Sequence, residues 1–508
     1  MANYVSGIDV GTTGVKVMVL DLEGNVVGKA YREYPVELPH DGWVEQDFEL
    51  VAEKTFEASQ EAVGNSKVDP KAILGVGIGG QRATVGFLDE AGKPICNFLS
   101  WQDNRAITEI DYIKSVMDPV KLYQIQGQPI TPTFSLEKLI WLKKNQPEIY
   151  GKINKMVFAS DYILYRFGAD ELVSEITNAG CSSMIDLENR CWSKEIFDAF
   201  DLNLDWTCPL VEPGDTVGKV TKETSALSGF AVGTPIIATS GDNQLATLGV
   251  GVLTPGDACL TLGTSGVLIA ATEKPVYADD CATMVNMAAS DDLYQFEGIQ
   301  LGAASSYKWV RDTIAGLEKK MAEEIQGDAF ELMNKHVENS SVGAGGVIFM
   351  PYLYGNGYPY WNPNAKSVFA GLKSTSTKSD MIRAVMEGIS LESKDMYQHM
   401  QEAGIEINSL VLTGGASKSD IWAQIIADML NLPVKRLKVS DATILGSAIL
   451  AGVGVGLFKD NEEAVQKMVH VADVTDPISE NVAVYESRYS AYRNLYHALA
   501  DQGIFEQL

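Results

Sequence analysis

The sequence predicts an α/β protein of two lobes, each opened by a hairpin suited to phosphate, and three observations carry that prediction. Residues 4–10 and 15–20 are short apolar, β-branched runs joined by Gly11-Thr12-Thr13-Gly14, the turn chemistry of a tight hairpin. About 250 residues later, residues 259–269 repeat the order of apolar strand, Gly263-Thr264-Ser265-Gly266 and apolar strand. The chain has 508 residues, 46% of them hydrophobic, enough for two large cores. We therefore expect one domain over residues 1–250 and a second over 251–508.

The first hairpin can approach an anion closely. Gly11 and Gly14 remove side chains that would block the backbone, Thr12 and Thr13 offer N–H groups and hydroxyls, and Lys16 adds positive charge. Asp9 ends the first strand and faces the same anion. A carboxylate beside a phosphate makes sense when a divalent cation, Mg²⁺ held through water, lies between them. A plain hairpin turn uses the same residue types, and it is the second copy that favours phosphate, with Gly263 and Thr264 in the matching places. One such turn in each half would put the phosphates of a single nucleotide in the cleft between the lobes, where closure excludes water.

Along the first half, residues 26–34 form a third antiparallel strand, 48–63 a helix, and 73–79 a strand so rich in apolar residues and glycine that both faces are covered. That strand ends in Gly79-Gly80-Gln81-Arg82-Ala83-Thr84, and the carboxyl end of a buried strand is where α/β proteins place ligand contacts, so Gln81 and Arg82 are candidates. Trp101-Gln102-Asp103-Asn104-Arg105 offers donors and acceptors beside an apolar ring, a set suited to a polyol or sugar; the alternative is a charged helix start with Trp101 in the core. Helices are expected over 136–144 and 161–167. Residues 235–240 make a strand, followed by Gly241-Asp242-Asn243-Gln244 and a helix over 245–253, so Asp242 sits where strand turns to helix and suits either a base or a helix cap.

In the second half, 347–352 is a strand, 381–400 a long helix, and 410–413 a buried strand ending in Gly414-Gly415-Ala416-Ser417-Lys418-Ser419, whose glycines let backbone approach a flat ligand. A helix follows over 421–430, and Asp441 opens another made of small residues able to pack closely. The tail from Asp460 is acidic and helical, and we expect it to be peripheral.

Composition limits the partners. Lys and Arg number 40 against 67 Asp and Glu, and a net charge of −27 repels nucleic acid and anionic membrane surfaces. The six cysteines are scattered without Cys-x-x-Cys spacing, which fits reduced thiols in a cytoplasm. No apolar run is long enough to span a bilayer, and no basic segment leads into an apolar signal region. The five histidines lie outside the phosphate and Gly-Asp-Asn segments and make no metal cluster.

Taken together, these residues resemble the FGGY carbohydrate kinases, a branch of the actin-like, ribonuclease-H-like ATPases, over nearly the whole chain. The C-terminal signature of that family is met by Ser367-Val368-Phe369-Ala370-Gly371-Leu372 and, after a gap of seven, Asp380-Met381-Ile382-Arg383-Ala384-Val385-Met386-Glu387. The N-terminal signature fits residues 135–145, with Thr133 departing from the usual type. The resemblance implies two actin-like domains with a nucleotide and sugar cleft between them, ATP and Mg²⁺ as cofactors, and a small sugar or polyol as partner. It implies Asp242 as catalytic base and metal-side carboxylate with Asp9; Gly11, Thr12, Thr13, Lys16, Gly263 and Thr264 for phosphates; Gly414, Gly415, Ala416 and Ser419 for adenosine; and Gln81, Arg82, Trp101, Asp103, Asp242 and Asn243 for the acceptor. A homodimer is compatible with it.

Residues 352–355 and 359–366 are most similar to the pentulose kinases, which implies a five-carbon ketose, D-xylulose first. Gln81-Arg82-Ala83 departs from their Gln-Met-His, and with Trp101-Gln102-Asp103 it is similar to the glycerol kinases, except that their glutamate is Ala83 here. Glycerol, erythritol, ribulose and similar acceptors therefore stay open. A non-metabolic ATPase of the same fold, filament-forming or chaperone-like, is the reading from another class.

Overall fold

The computed structural model of the chain describes residues 2–290, 292–438 and 441–508. Two compact units emerge: Met1–Leu253 with Glu273–Gln295 and Asp441–His470, and Thr254–Thr272 with Phe296–Ser440 and Val471–Leu508. The chain leaves the first unit close to the expected boundary at residue 250, yet it returns to that unit twice.

The first unit is built on β1 (Tyr4–Val10), β2 (Gly14–Asp21), β3 (Val26–Glu33), β4 (Ile73–Gly80), β5 (Thr216–Lys219) and β6 (Pro235–Gly241), in the order β5-β6-β4-β1-β2-β3. β1 pairs antiparallel with β2 and parallel with β4, and β6 is parallel to β4. The helix Phe48–Ser66, capped by Asp47 accepting from the Leu50 N–H, covers β2 and β3. Its approach is close because Gly28 has no side chain: a Cβ there would lie 2.3 Å from the Ala62 carbonyl. Ile8, Val17, Val19, Phe56, Ile163 and Phe167 are among the residues of the core between these elements.

The returning helix Ala442–Gly454 lies on β1 and β4, where a Cβ on Gly7 would come within 2.6 Å of the Ile444 carbonyl and one on Gly77 within 2.5 Å of the Ser447 carbonyl. It also crosses the helix Asp242–Gly249 at two glycines, Gly249 beneath the Ala442 carbonyl and Gly446 beneath that of Leu245. Small residues thus do what their sequence promised. They let backbones touch.

The second unit contains β7 (Asp257–Leu262), β8 (Gly266–Thr272), β9 (Tyr294–Gln300), β10 (Ser409–Gly414), β11 (Val434–Leu437) and β12 (Val471–Thr475), in the order β9-β8-β7-β10-β11-β12. Its plan matches β3-β2-β1-β4-β6-β5: a hairpin, two strands parallel to its first member, and an antiparallel edge. The repeat visible in two turns therefore extends to whole sheets.

The tail is not peripheral. β12 joins the second sheet, and the helix Ser479–Ala500 buries Tyr485, Tyr489, Tyr492 and Tyr496. Tyr485 donates to Glu387 at 2.9 Å and Tyr489 to Asp395 at 2.7 Å, both on the long helix Lys378–Glu402. The expectation weighed the tail's acidic charge and overlooked tyrosines at helical spacing.

Gly446→Val should force the crossing helices apart, since its Cβ would start 2.0 Å from the Leu245 carbonyl. We expect a loss of about 3 kcal/mol, read as a lower thermal midpoint. Gly64→Ala, at a helical glycine with open space around it, should not lower the midpoint.

Candidate active site

The first turn is fixed from three sides. Gly11 donates to the Gly14 carbonyl at 3.0 Å, the Tyr34 N–H donates to the Thr13 carbonyl at 3.1 Å, and the Tyr34 hydroxyl donates to the Gly11 carbonyl. Gln81 N–H donates to the Val10 carbonyl at 2.9 Å, tying the turn to the end of β4. With its carbonyls held, the turn leaves Thr12 and Thr13 facing outward.

Charged groups meet just below it. Register places Asp9 opposite Lys16, and Lys16 Nζ lies 2.5 Å from Asp441 Oδ2, the carboxylate that caps the returning helix through the Ile444 N–H. Burial opposes the charge of Lys16 most strongly, but the bond and charge of Asp441 together with the charges of Asp9 and Tyr31 hold the ammonium above its usual range. The sequence reading gave this lysine to phosphate; its immediate partner is a carboxylate. Asp9 is pushed up to about 7, first by burial and then by Asp242 and Asp441, with Lys16 opposing. Its Oδ1 is buried and accepts no hydrogen bond from the described residues. Lys16 offsets an ionised Asp9 only in part, and a hydrated divalent cation beside it would supply further countercharge. No group of three or more metal-ligating side chains occurs among the described residues, so such an ion would keep water and take phosphate oxygens.

Asp242 is the first residue of the helix Asp242–Gly249, with Gly241 in the cap position. It is therefore not the cap itself, although its Oδ1 accepts the Asn243 N–H at 2.8 Å. Its side chain is 40% exposed, and Arg82 Nε stands 3.3 Å from Oδ1. Arg82 is presented by a tight reversal in which Ala83 adopts φ +57°, a left-handed conformation uncommon outside glycine. Behind it, Arg82 Nη1 donates to Cys181 Sγ at 3.7 Å, and Cys181 donates to Asn286 at 3.2 Å. The turn carrying Asp242 is held by buried Glu175, which accepts from Thr177 Oγ1 at 2.8 Å, while Thr177 accepts the Gly241 N–H at 3.2 Å. Burial pushes Glu175 up to about 8 against those bonds.

The acceptor candidates divide into two groups. Trp101 is 40% exposed, which removes the core alternative, and its indole N–H donates to Thr12 Oγ1 at 2.8 Å. Gln81 and Asp103 are wholly buried. Gln81 donates to Gln46 and accepts from Thr84, each at 2.9 Å. Asp103 accepts from the Val44 N–H at 2.6 Å and from the N–H, Nε and Nη2 of Arg105 at 2.9, 2.9 and 2.8 Å. That carboxylate is engaged by protein donors on both oxygens, so Asp103 anchors the segment around Val44. Arg82, Trp101, Asp242, Asn243, Thr12 and Thr13 keep some exposure.

In the second unit, the Thr264 carbonyl accepts from Ala303 N–H at 3.1 Å and Ser305 Oγ at 2.7 Å, and Leu262 stands opposite Gly414 across parallel strands. Gly414 has φ +78°, and a Cβ there would lie 2.5 Å from the Leu262 carbonyl, so only glycine brings this turn against the hairpin. Gly263, Thr264, Gly414 and Gly415 are thereby neighbours. Ala416 is buried, and Ser419 caps the helix Asp420–Leu430 through the Trp422 N–H, so any contact by Ala416 would be through backbone.

Sequence reasoning missed Tyr34, Gln46, Glu175 and Asp441 as parts of this arrangement. Asp441 carried a signal, an acid just before a small-residue helix; the others reach the site only through tertiary packing.

Known proteins match the chain over nearly its whole length. Residues 4–249 match the N-terminal domain, and residues 258–455 the C-terminal domain, of the FGGY family of carbohydrate kinases. The chain is 30% identical to a xylulose kinase of Staphylococcus epidermidis over 97% of this chain and 96% of that one. Ligand-bound xylulose kinase from Lactobacillus acidophilus superposes with a TM-score of 0.90 at 25% identity, covering 98% of both chains. Gluconate kinase from Lactobacillus acidophilus gives the same TM-score of 0.90 and identity of 25%, covering 98% of this chain and 99% of that one.

Asp103→Ala should act on stability. Removing the partner of buried Arg105 is expected to cost about 3 kcal/mol, seen as a thermal midpoint lowered by several degrees. An unchanged midpoint would return Asp103 to the ligand set.

Proposed function

The chain belongs to the FGGY family of carbohydrate kinases, and on that premise we propose that it transfers the γ-phosphoryl group of ATP to a terminal hydroxyl of a small ketose, D-xylulose first. The observation that carries this is Asp242: a half-exposed carboxylate at a helix start, with Arg82 at 3.3 Å and buried Asp9 close enough to feel its charge. Asp242 takes the proton of the acceptor hydroxyl as the new O–P bond forms and the bond to ADP breaks. The indole face of Trp101 meets the carbon side of the acceptor, while Arg82 and Asn243 bind its oxygens. Thr12 and Thr13 hold the transferring phosphate, Gly263 and Thr264 the remaining ones, and Gly414, Gly415 and the Ala416 backbone the adenosine.

Mg²⁺ supplies charge neutralisation at the phosphates, and Asp9, with Asp242, would hold it through water. Six free cysteines fit a reducing cytoplasm.

A second acceptor class has an observation of its own. Arg82 pairs with Asp242 and could instead pair with the carboxylate of a sugar acid, the class named for the gluconate kinase neighbour.

An ATP-coupled screen over pentuloses, tetritols, glycerol, hexuloses and gluconate, ranked by kcat/KM, tests the assignment. D-xylulose should lead; turnover with gluconate alone would move the assignment to the acid. Asp242→Asn should lower kcat by about 10²-fold or more with ADP binding retained, and near-normal turnover would remove it as base. Asp9→Ala should raise the Mg²⁺ needed for half-maximal rate by about tenfold, read by metal titration of the initial rate.

A further inference from the structure

Trp101 and Thr12 are joined by a closed ring of hydrogen bonds that passes through two buried glutamines. The Trp101 N–H donates to Thr84 Oγ1 at 3.2 Å, and Thr84 Oγ1 donates to Gln81 Oε1 at 2.9 Å. Gln81 Nε2 donates to Gln46 Oε1 at 2.9 Å, and Gln46 Nε2 donates to the Thr12 carbonyl. The Trp101 indole N–H closes the ring on Thr12 Oγ1 at 2.8 Å. Thr84, Gln81 and Gln46 are all fully buried.

The ring has a fixed direction. A backbone N–H can only donate and a carbonyl can only accept, so the two ends determine which way both amides point. Every link from Trp101 to Thr12 then runs donor to acceptor in one sense, the arrangement in which hydrogen bonds polarise one another. The Thr12 hydroxyl accepts from the indole and keeps its own proton to donate to an anion.

Gln46 has its own anchorage. Glu45 and Gln46 pair with Leu99 and Phe98, next to the Val44 N–H that Asp103 binds, and Arg105 contacts Glu45 at 2.6 Å while lying 3.8 Å over the Trp43 ring. The carboxylate read from sequence as a sugar contact thus fixes the strand that carries Gln46.

We infer that Gln46 is a positioning residue, which makes the exposed acceptor wall at Trp101 and the phosphate turn at Thr12 one rigid piece; this rests on the kinase reading above. Its place in the ring means that a shift of Trp101 is felt at the Thr12 carbonyl, and the reverse. Alignment of acceptor and phosphate depends on tenths of an ångström, so the cost of losing the ring falls on kcat.

Three variants test it. Gln46→Met keeps length and loses both bonds; we expect kcat lowered about tenfold, with faster amide hydrogen exchange over residues 9–16 in protein that stays folded. Gln46→Glu keeps the shape, but an ionised carboxylate cannot donate to the Thr12 carbonyl, whereas the protonated acid can. Its kcat relative to wild type should therefore fall by about tenfold as pH rises through the carboxyl's own pKa and then level off, a dependence that Gln46→Met lacks. Trp101→Phe combined with Gln46→Met should lose little more than the worse single variant, because both break one ring. Multiplying losses, slow exchange over residues 9–16 in Gln46→Met, or a flat ratio for Gln46→Glu would each overturn the positioning role. A wild-type chain that phosphorylates no acceptor would overturn the kinase reading and this inference with it, whereas normal wild-type turnover with independent losses overturns only the inference.

Discussion

Backbone contact at glycine is the constraint on which the first unit depends. Gly7 and Gly77 on the sheet, and Gly249 and Gly446 on the crossing helices, allow carbonyl oxygens to occupy the space a Cβ would need. That intimacy seats the helix Ala442–Gly454 against β1 and β4, although it lies some 430 residues further along the chain than β1. Its cap, Asp441, is then delivered to Lys16 and into the field of Asp9. A single added methyl group at these contacts would alter the charge balance of the site as well as the packing.

That balance is asymmetric. Two carboxylates, Asp242 and Asp441, are close enough to influence Asp9; Lys16 bonds to Asp441 and Arg82 stands beside Asp242. Asp9 is left with a buried oxygen that no group among the described residues satisfies. Such a group is costly unless a partner arrives, which is the physical signature of a site completed by its ligands. Around it, polar residues that resemble ligand contacts by type also serve as supports: the side chains of Gln81 and Asp103 are buried and bond to neighbouring protein groups.

The second unit repeats the strand plan but carries different chemistry. Its hairpin lacks a counterpart to Asp9 and Lys16, since Thr261 stands where Asp9 does and bonds to Thr413 at 2.8 Å. The Gly414 turn, by contrast, needs its glycine for the same reason as the first unit: backbone passes where a side chain would be. The two hairpins share one plan, but the strands of the first carry charged residues where those of the second carry neutral ones.

By itself the sequence determined the α/β class, the two hairpins and their repetition, the strand that leads to Arg82, and the strand-to-helix turn that presents Asp242. These are local: they follow from turn glycines, β-branched runs and the alternation of apolar residues, whose effects reach only a few positions along the chain. Tertiary structure alone decided which polar residues face a ligand. Asp103 and Trp101 stand two residues apart, yet one is sealed beneath Arg105 and the other is exposed beside Thr12. It also decided that the tyrosine-bearing tail belongs to a core and that residues 441–470 return to the first unit. Burial and hydrogen-bond partnership are set by segments distant in sequence, so the same side chain can be a support or a contact until the chain has closed around it.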